Sequence, residues 1–389
     1  MNCNRHLKEW KKIISSRFGK LSLPQLSGLA SWSFGIVMTK SSSLTRVSSF
    51  IAKINQEKEN TVRQRLKEWY QEGKAKSGQK RAELVVEECF GDLLRWIIDL
   101  LPEDCQKLPL AIDATTLKQN FTVLSIHVLY RGCAIPIAWK IVKTTQKGSW
   151  RPHWEKLFES LRDIVPSHWQ VIVCADRGLY AHWLYQLIIE LNWHPFLPIN
   201  HQGQFKKKDS STWQPLAEIL PHTGSAWSGE IICFKTNPIQ CTLLGRWDDG
   251  YQDPWLIVTD LNPTDGDVSW YGLRSWIECS YRDIKSDGWQ WHRTRLTEPG
   301  RAERQWLAMA VALLWTLTME TEDTPPSSVP KNSSSTPSVE NTSIGQLSCF
   351  VNGLLTLLGR LLNDLPLTMG SLQPLPFGCF YSSFSPNSS

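Results

Sequence analysis

Residues 271–285 read YGLRSWIECSYRDIK, which is the most specific pattern in the chain. If this stretch is helical, at about 100° per residue, four of its side chains share one narrow stripe: Tyr271, Arg274, Glu278 and Lys285. A carboxylate that holds a metal ion, flanked by cations that hold phosphate, needs such a stripe, whereas few structural roles do. The structural alternative for Glu278 is a simple ion pair with Arg274 or Arg282.

Two aspartates far upstream follow apolar runs. The run Leu108–Ile112 ends at Asp113, and the run from Trp169 to Ala175 ends at Asp176. An unpaired buried carboxylate is energetically costly, so an acid at the end of a buried strand indicates a function. Taken singly, the alternatives are that Asp113 forms a turn and that Asp176 caps the next helix.

The order of the predicted elements indicates the fold class. Strands are predicted at 108–112, 121–130, 133–142, 169–175 and 193–199, with helices at 150–164 and 180–191. Three meandering strands followed by strand–helix alternation predict an α/β domain with a mixed sheet. Further short strand-like runs at 230–234, 241–244 and 255–259 predict a β-rich insertion, with Lys206–Lys208 in a polar loop before it.

The spacing of Tyr, two residues, Arg, three residues, Glu, six residues and Lys resembles the signature of bacterial insertion-sequence transposases with an Asp-Asp-Glu triad. More narrowly, it resembles their Tyr-Arg-Glu-Lys subgroup, and the resemblance covers about residues 20–320. It implies a ribonuclease H-like catalytic core with a mixed sheet, a β-rich insertion before the last catalytic helix and an α-helical N-terminal region. In that core the first Asp lies on the first strand and the second at the end of the fourth, where Asp113 and Asp176 fall.

The resemblance also implies roles for individual residues. The catalytic and metal-binding triad would be Asp113, Asp176 and Glu278. An all-oxygen site suits two Mg²⁺ ions, for which Mn²⁺ can substitute. The phosphate-binding residues would be Tyr271, Arg274, Lys285 and, as a weaker candidate, Arg177.

The implied function is metal-dependent DNA cleavage and strand transfer at terminal inverted repeats. The expected partner is double-stranded DNA, both the repeats and the target, bound by a homodimer in a synaptic complex. Three alternatives stay open at this point. They are a catalytically inactive transposase-derived DNA-binding protein, a metal-dependent nuclease that cuts without joining, and a carbohydrate-active enzyme with two carboxylates.

Short helices and basic side chains characterise the first hundred residues. The segment Asn60–Tyr70 resembles a capped helix with Arg63 and Arg65 near its start, and further lysines follow at 74, 76 and 80. These features suit a small DNA-binding module, although a solvated basic helix has the same pattern. Another cationic stretch includes Arg293 and Arg295, beside Trp289 and Trp291, which either stack on DNA bases or belong to the core.

The 389 residues exceed the usual size of one domain. We expect a helical DNA-binding region (1–100), the first part of the core (101–200), a β-rich insertion (201–268), the last part of the core with the Glu278 helix (269–320), a flexible linker (321–343) and a C-terminal helix and tail (344–389).

Composition excludes several other classes of protein. Hydrophobic residues make up 41% and charged residues 20%, and the net charge is only +5, so the local clustering of cations is more informative than the total. The ten cysteines show no zinc-binding spacing, and no apolar run reaches the 18 residues of a membrane span. We therefore expect a cytoplasmic protein without a membrane segment, and the resemblance to insertion-sequence transposases implies that it is bacterial and nucleoid-associated.

Overall fold

The structure, a computed structural model, describes residues 3–77, 82–117, 120–320 and 347–374. The predicted linker at 321–343 and the end of the predicted tail lie outside these residues. Contacts divide the chain into two compact units. We call residues 1–103 with 281–374 the helical unit, and residues 104–280 the sheet unit. The domain boundaries expected from the sequence stay predictions.

The described residues contain the following regular elements. The α-helices are α1 (Cys3–Arg17), α2 (Leu23–Thr39), α3 (Leu44–Asn55), α4 (Glu59–Tyr70), α5 (Phe90–Leu100), α6 (Arg151–Glu159), α7 (His182–Glu190), α8 (Trp276–Arg282), α9 (Pro299–Thr318) and α10 (Cys349–Leu362). The strands are β1 (Lys107–Leu117), β2 (Phe121–Tyr130), β3 (Cys133–Lys143), β4 (Gln170–Ala175), β5 (His194–Pro198), β6 (Gln204–Lys207), β7 (Gln214–Pro215), β8 (Ala226–Cys233), β9 (Ile239–Arg246) and β10 (Trp255–Thr259).

The sheet unit is built on one ten-stranded mixed sheet in the order β3-β2-β1-β4-β5-β10-β9-β8-β6-β7. Strand β4 lies between β1 and β5 and is parallel to both, and β1 pairs antiparallel with β2. Every residue of β2 and almost every residue of β4 is buried, as expected for strands covered on both faces. The predicted α/β class with a mixed sheet is therefore confirmed.

The strands predicted for the β-rich insertion continue the same sheet. Strand β10 has the predicted bounds, Trp255–Thr259, and it pairs with β9 on one side and with β5 on the other. The prediction of a polar loop at Lys206–Lys208 is wrong for its first two residues, because β6 spans Gln204–Lys207 and pairs with β8. Buried Phe205 anchors this strand, while Lys206 is partly exposed and Lys207 is exposed.

The stretch 271–285 is not one regular helix, so the prediction of a uniform stripe is wrong. It contains a 3₁₀-helix at Val268–Ser275, then α8, then a π-helical turn at Asp283–Asp287. In the π turn the Asp283 carbonyl accepts hydrogen bonds from the backbone N–H groups of both Gly288 and Trp289, each at 2.9 Å. A Cβ atom at Gly288 would lie 2.5 Å from that carbonyl oxygen, so this tight turn requires glycine.

The helical unit has α9 at its centre. Residues 302–318 of this helix are all buried, and α9 packs against α2, α4, α5 and α10. Trp315 stacks on Trp10, with ring centroids 4.1 Å apart and an interplanar angle of 16°. The buried Arg304 guanidinium donates to the carbonyl oxygens of Leu84 and Tyr70, which satisfies its polar atoms inside this core. The prediction that residues 269–320 are the last part of the catalytic core stays a prediction, and within them α9 packs mainly with α2 and α10.

Asp283 gives a testable pH dependence. This side chain is only 5% exposed, and burial, against a lowering by Arg282, raises the pKa of its carboxyl from 3.8 to about 7. Because the pKa of Asp283 is raised in the folded state, the protonated side chain contributes to the free energy of unfolding in full below about pH 4. This contribution is lost as the pH rises through 7.

We therefore expect Asp283→Asn to be more stable than wild type by roughly 1–3 kcal/mol at pH 8. The difference should shrink to below about 1 kcal/mol near pH 4, because the wild-type carboxyl is then protonated in the folded state and only partly ionised in the unfolded chain. Urea denaturation at pH 4, 6 and 8 would measure this. A constant difference at all three pH values would contradict the assignment to Asp283 ionisation.

Candidate active site

Two parallel strands bring the upstream aspartates together. Asp113 lies within β1 and Asp176 directly follows β4. Ile112 pairs with Ala175 across these parallel strands, and each aspartate is the residue that follows its member of this pair. The two carboxylates consequently lie side by side, at the carboxyl end of the paired segment of β1 and β4.

Arg274 connects both aspartates with Glu278. Its Nη2 atom lies 3.9 Å from Oδ1 of Asp113 and 3.7 Å from Oδ1 of Asp176. Its Nη1 atom donates a hydrogen bond of 3.1 Å to Oε1 of Glu278, one helical turn further along the chain. Three carboxylates from distant parts of the sequence therefore share one guanidinium.

The environments of the three acids differ. The side chain of Asp113 is 16% exposed, that of Asp176 50% and that of Glu278 62%. Burial raises the pKa of Asp113, the Arg274 charge lowers it, and the like charges of the other two acids raise it further. The buried Asp113 is therefore the carboxylate that depends most on a neighbouring cation.

The charge of Arg274 is stabilised by this cluster. Burial alone would lower the pKa of the guanidinium, but Asp176, Tyr271, Asp113 and Glu278 together raise it. Its Nε atom is buried and has no hydrogen-bond partner among the described residues. One cation thus offsets only part of the charge of three carboxylates, while one of its own donors stays available.

The donor set is chemically suited to hard cations, since it consists of carboxylate oxygens only. Within the described ranges, however, no three His, Cys, Asp or Glu side chains are grouped closely enough to hold a metal ion together. The guanidinium lies between the acids instead. Metal binding by this triad would therefore require Arg274 to move away from the position that it has here.

The other predicted phosphate-binding residues lie in different surroundings. The Tyr271 ring contacts the Trp255 ring edge-on, with centroids 5.3 Å apart, and burial raises the pKa of its hydroxyl. Arg177 follows Asp176, is 42% exposed and lies 3.5 Å from the Asp253 carboxylate. Lys285 belongs to the π turn of the helical unit, where its Nζ atom lies 5.4 Å from the centroid of the Tyr281 ring.

The structure decides the role of two tryptophans that the sequence left open. Trp289 and Trp291 are fully buried and pack in the core of the helical unit, so they do not form a base-stacking platform. The sequence did not predict the contact between Trp255 and Tyr271, because it indicated only a strand at Trp255. No local pattern signals this contact, since the two residues belong to a strand and a 3₁₀-helix.

A comparison with protein families assigns the chain to a class. The model of the transposase DDE domain matches residues 104–315, which is more than half of the chain. The chain therefore belongs to the DDE transposase family. A comparison with curated proteins gave no match.

Membership of this family makes DNA the expected partner and phosphoryl transfer on DNA the expected type of reaction. The match begins just before β1 and ends within α9, so it includes the strands and helices that carry the carboxylate cluster. None of the helices in the described part of the chain is both long and apolar enough to cross a bilayer.

Proposed function

We propose that this protein is a cut-and-paste transposase that cleaves and rejoins DNA at the terminal inverted repeats of an insertion sequence. The observation that carries the proposal is the meeting of Asp113, Asp176 and Glu278 at the Arg274 guanidinium. These acids are far apart in the chain, and an ordinary structural ion pair needs only one of them. The Tyr-Arg-Glu-Lys spacing further supports membership of the subgroup with that signature.

We infer a ribonuclease H-like core for the sheet unit. In support, its first five strands have the order β3-β2-β1-β4-β5, with an antiparallel meander leading into parallel strands. Asp113 on β1 and Asp176 after β4 fall where that core has its first two acids. The strands from β6 to β10 would then form the insertion that separates Asp176 from the Glu278 helix.

Asp113, Asp176 and Glu278 would hold two Mg²⁺ ions, for which Mn²⁺ can substitute. When bound, such ions activate an attacking oxygen and stabilise a leaving oxygen in an in-line displacement at phosphorus. The first nucleophile is water, which cuts the DNA at the element end. The second is the freed 3′ hydroxyl, which attacks the other strand or the target, so no covalent bond between protein and DNA is needed.

The cationic residues of the chain would position the DNA. The Arg274 charge offsets part of the negative charge of the triad, which limits repulsion among the three acids. Its unpartnered Nε and its planar fork suit a phosphate oxygen, so the guanidinium would turn from the carboxylates to the DNA backbone. Tyr271, Lys285 and the exposed Arg177 would contact neighbouring phosphates.

We expect the active form to be a homodimer in a synaptic complex that holds two element ends, acting at the bacterial nucleoid. The experiment that tests the function is a nicking assay on a duplex that carries the inverted repeats flanking the gene. Wild-type protein with Mg²⁺ should cut at the repeat boundary, and a supplied target duplex should become joined to the freed 3′ end. Mn²⁺ should support the cut, whereas EDTA should prevent it.

Two controls separate this function from its alternatives. A duplex with scrambled ends should be bound more weakly and should not be cut at a fixed position. Metal-dependent cutting without joined products would instead identify a nuclease. Specific binding of the repeats without any cut, in either metal, would identify a catalytically inactive DNA-binding relative of the transposases.

A further inference from the structure

The helical unit contains a polar pocket of about 780 Å³ that the carboxylate cluster does not use. Three segments form its walls: the start of α3, one face of α4 and the turn at residues 290–296. Its seventeen lining residues include five cations and no carboxylate: Arg46, Arg63, Lys67, Arg293 and Arg295. We call this feature the basic pocket.

The five cations are exposed, and none forms an ion pair with a carboxylate of the described residues. Arg63 donates a hydrogen bond to the Thr45 hydroxyl at 2.7 Å, and the Arg293 side chain contacts His292. Arg65 on the same helix contrasts with them, because it forms a bidentate pair with Glu57, at 2.7 and 3.1 Å. On α4, Arg65 outside the pocket is therefore paired with a carboxylate, whereas Arg63 and Lys67 inside the pocket are not paired with any carboxylate of the described residues.

Buried hydrogen bonds hold the walls of the basic pocket together. The Ser42 backbone N–H donates to the Trp289 carbonyl oxygen at 2.7 Å, and the Gln305 side chain donates to the Ser42 carbonyl oxygen, also at 2.7 Å. The Trp291 indole N–H donates in turn to the Gln305 side-chain oxygen at 3.2 Å. This network fixes the turn that carries Arg293 against the start of α3, so the cations converge on a rigid frame.

The first turn of α3 adds to the positive potential. Residues 43–46 line the pocket, and Ser43 makes no side-chain capping bond, so backbone N–H groups at this helix start lack a side-chain acceptor. Gathering five like charges around one space raises their mutual repulsion, and a bound anion relieves it. Because the charges are spread over three walls, they match a run of phosphates better than a single small anion.

We propose that the basic pocket binds the phosphate backbone of duplex DNA, independently of any metal. This inference rests on the proposed function for the choice of DNA as ligand. It goes beyond that function by assigning a second binding site, made jointly by the N-terminal helices and by the segment that follows the π turn. The exposed face of α4 also presents Asn60 to the pocket, and such an amide can contact DNA bases.

The test is fluorescence anisotropy with a labelled element-end duplex in EDTA, at salt concentrations from about 50 to 200 mM. Two double variants each remove charge from one wall: Arg63→Gln with Lys67→Gln, and Arg293→Gln with Arg295→Gln. The matched control, Lys58→Gln with Arg65→Gln, removes the same charge from α4 and the residue that precedes it, outside the pocket. Each pocket variant should bind about tenfold more weakly and lower the salt slope by about two, because each lost phosphate contact contributes about 0.9.

The control should change affinity by less than about threefold at the higher salt, where long-range attraction is screened. Equal losses in the control and the pocket variants would overturn the proposal, and so would wild-type binding by both pocket variants. Circular dichroism melts should match wild type, since all four positions are exposed. Arg46→Gln tests the third wall if either double variant is misfolded.

The same proteins separate this proposal from the proposed function. Glu278→Gln should bind DNA like wild type, because its carboxylate is not part of the pocket. Pocket-dependent binding by a wild-type protein that never cuts would uphold the pocket and refute the transposase reaction. Metal-dependent cutting together with unaltered binding by both pocket variants would uphold the reaction and refute the pocket.

Discussion

Asp113→Asn is expected to lose Mg²⁺-dependent cleavage of element-end DNA by at least about 10³-fold, while duplex binding in EDTA stays at the wild-type level. Asparagine keeps the shape of the side chain but removes the negative charge that a divalent cation requires. Among the three candidate acids, Asp113 is the least exposed, and both neighbouring acids share its Arg274 contact. Its replacement therefore removes a ligand that no solvent-exposed group can easily replace.

Stability distinguishes a catalytic Asp113 from a structural one. Because burial raises the pKa of this carboxyl, ionisation of Asp113 costs the folded protein more free energy than it costs the unfolded chain. Asp113→Asn should therefore melt at the wild-type temperature or slightly above it. Loss of the folded state would show that Asp113 is structural.

The matched control for this variant is Asp260→Asn. Asp260 lies directly after β10 in the same unit and pairs with His194 at 3.0 Å, so the substitution removes the same charge away from the cluster. Its cleavage rate should stay within about threefold of wild type. Glu278→Gln should repeat the loss seen with Asp113→Asn. Cleavage within tenfold of wild type by either triad variant would refute the assigned triad.

Trp315→Ala is expected to lower the free energy of unfolding of the helical unit by about 3–5 kcal/mol. The Trp315 ring is fully buried in α9, stacks on Trp10 and lies 5.9 Å from the Phe34 ring, measured between centroids. Alanine would leave a cavity where α9 meets two N-terminal helices. Urea denaturation followed by circular dichroism measures the loss.

Trp150→Ala is the control, because Trp150 is 38% exposed and its removal opens no buried cavity. Its effect should stay below about 1 kcal/mol. If Trp315→Ala unfolded no more easily than this control, α9 would not be the centre of the helical core. Such a result would also count against a rigid basic pocket, because Gln305 of α9 holds two of its walls together.

Local sequence patterns predicted the sheet unit well. Apolar runs ending in acids placed Asp113 on β1 and Asp176 after β4, and β10 has its predicted bounds. These patterns locate strands because a buried strand needs a continuous apolar run. The acid ends the strand only at Asp176, since β1 continues past Asp113 to Leu117. Periodicity was less informative in 271–285, where 3₁₀, α and π segments follow one another and Gly288 permits the tight π turn.

The sequence by itself determined the family, the three candidate acids and the order of the elements that carry them. Only the tertiary structure decided that Arg274 contacts all three acids, that α9 packs with the N-terminal helices and that five cations line one pocket. The physical reason is that strand and helix formation depend on neighbouring residues, whereas these three features depend on contacts between residues far apart in the chain.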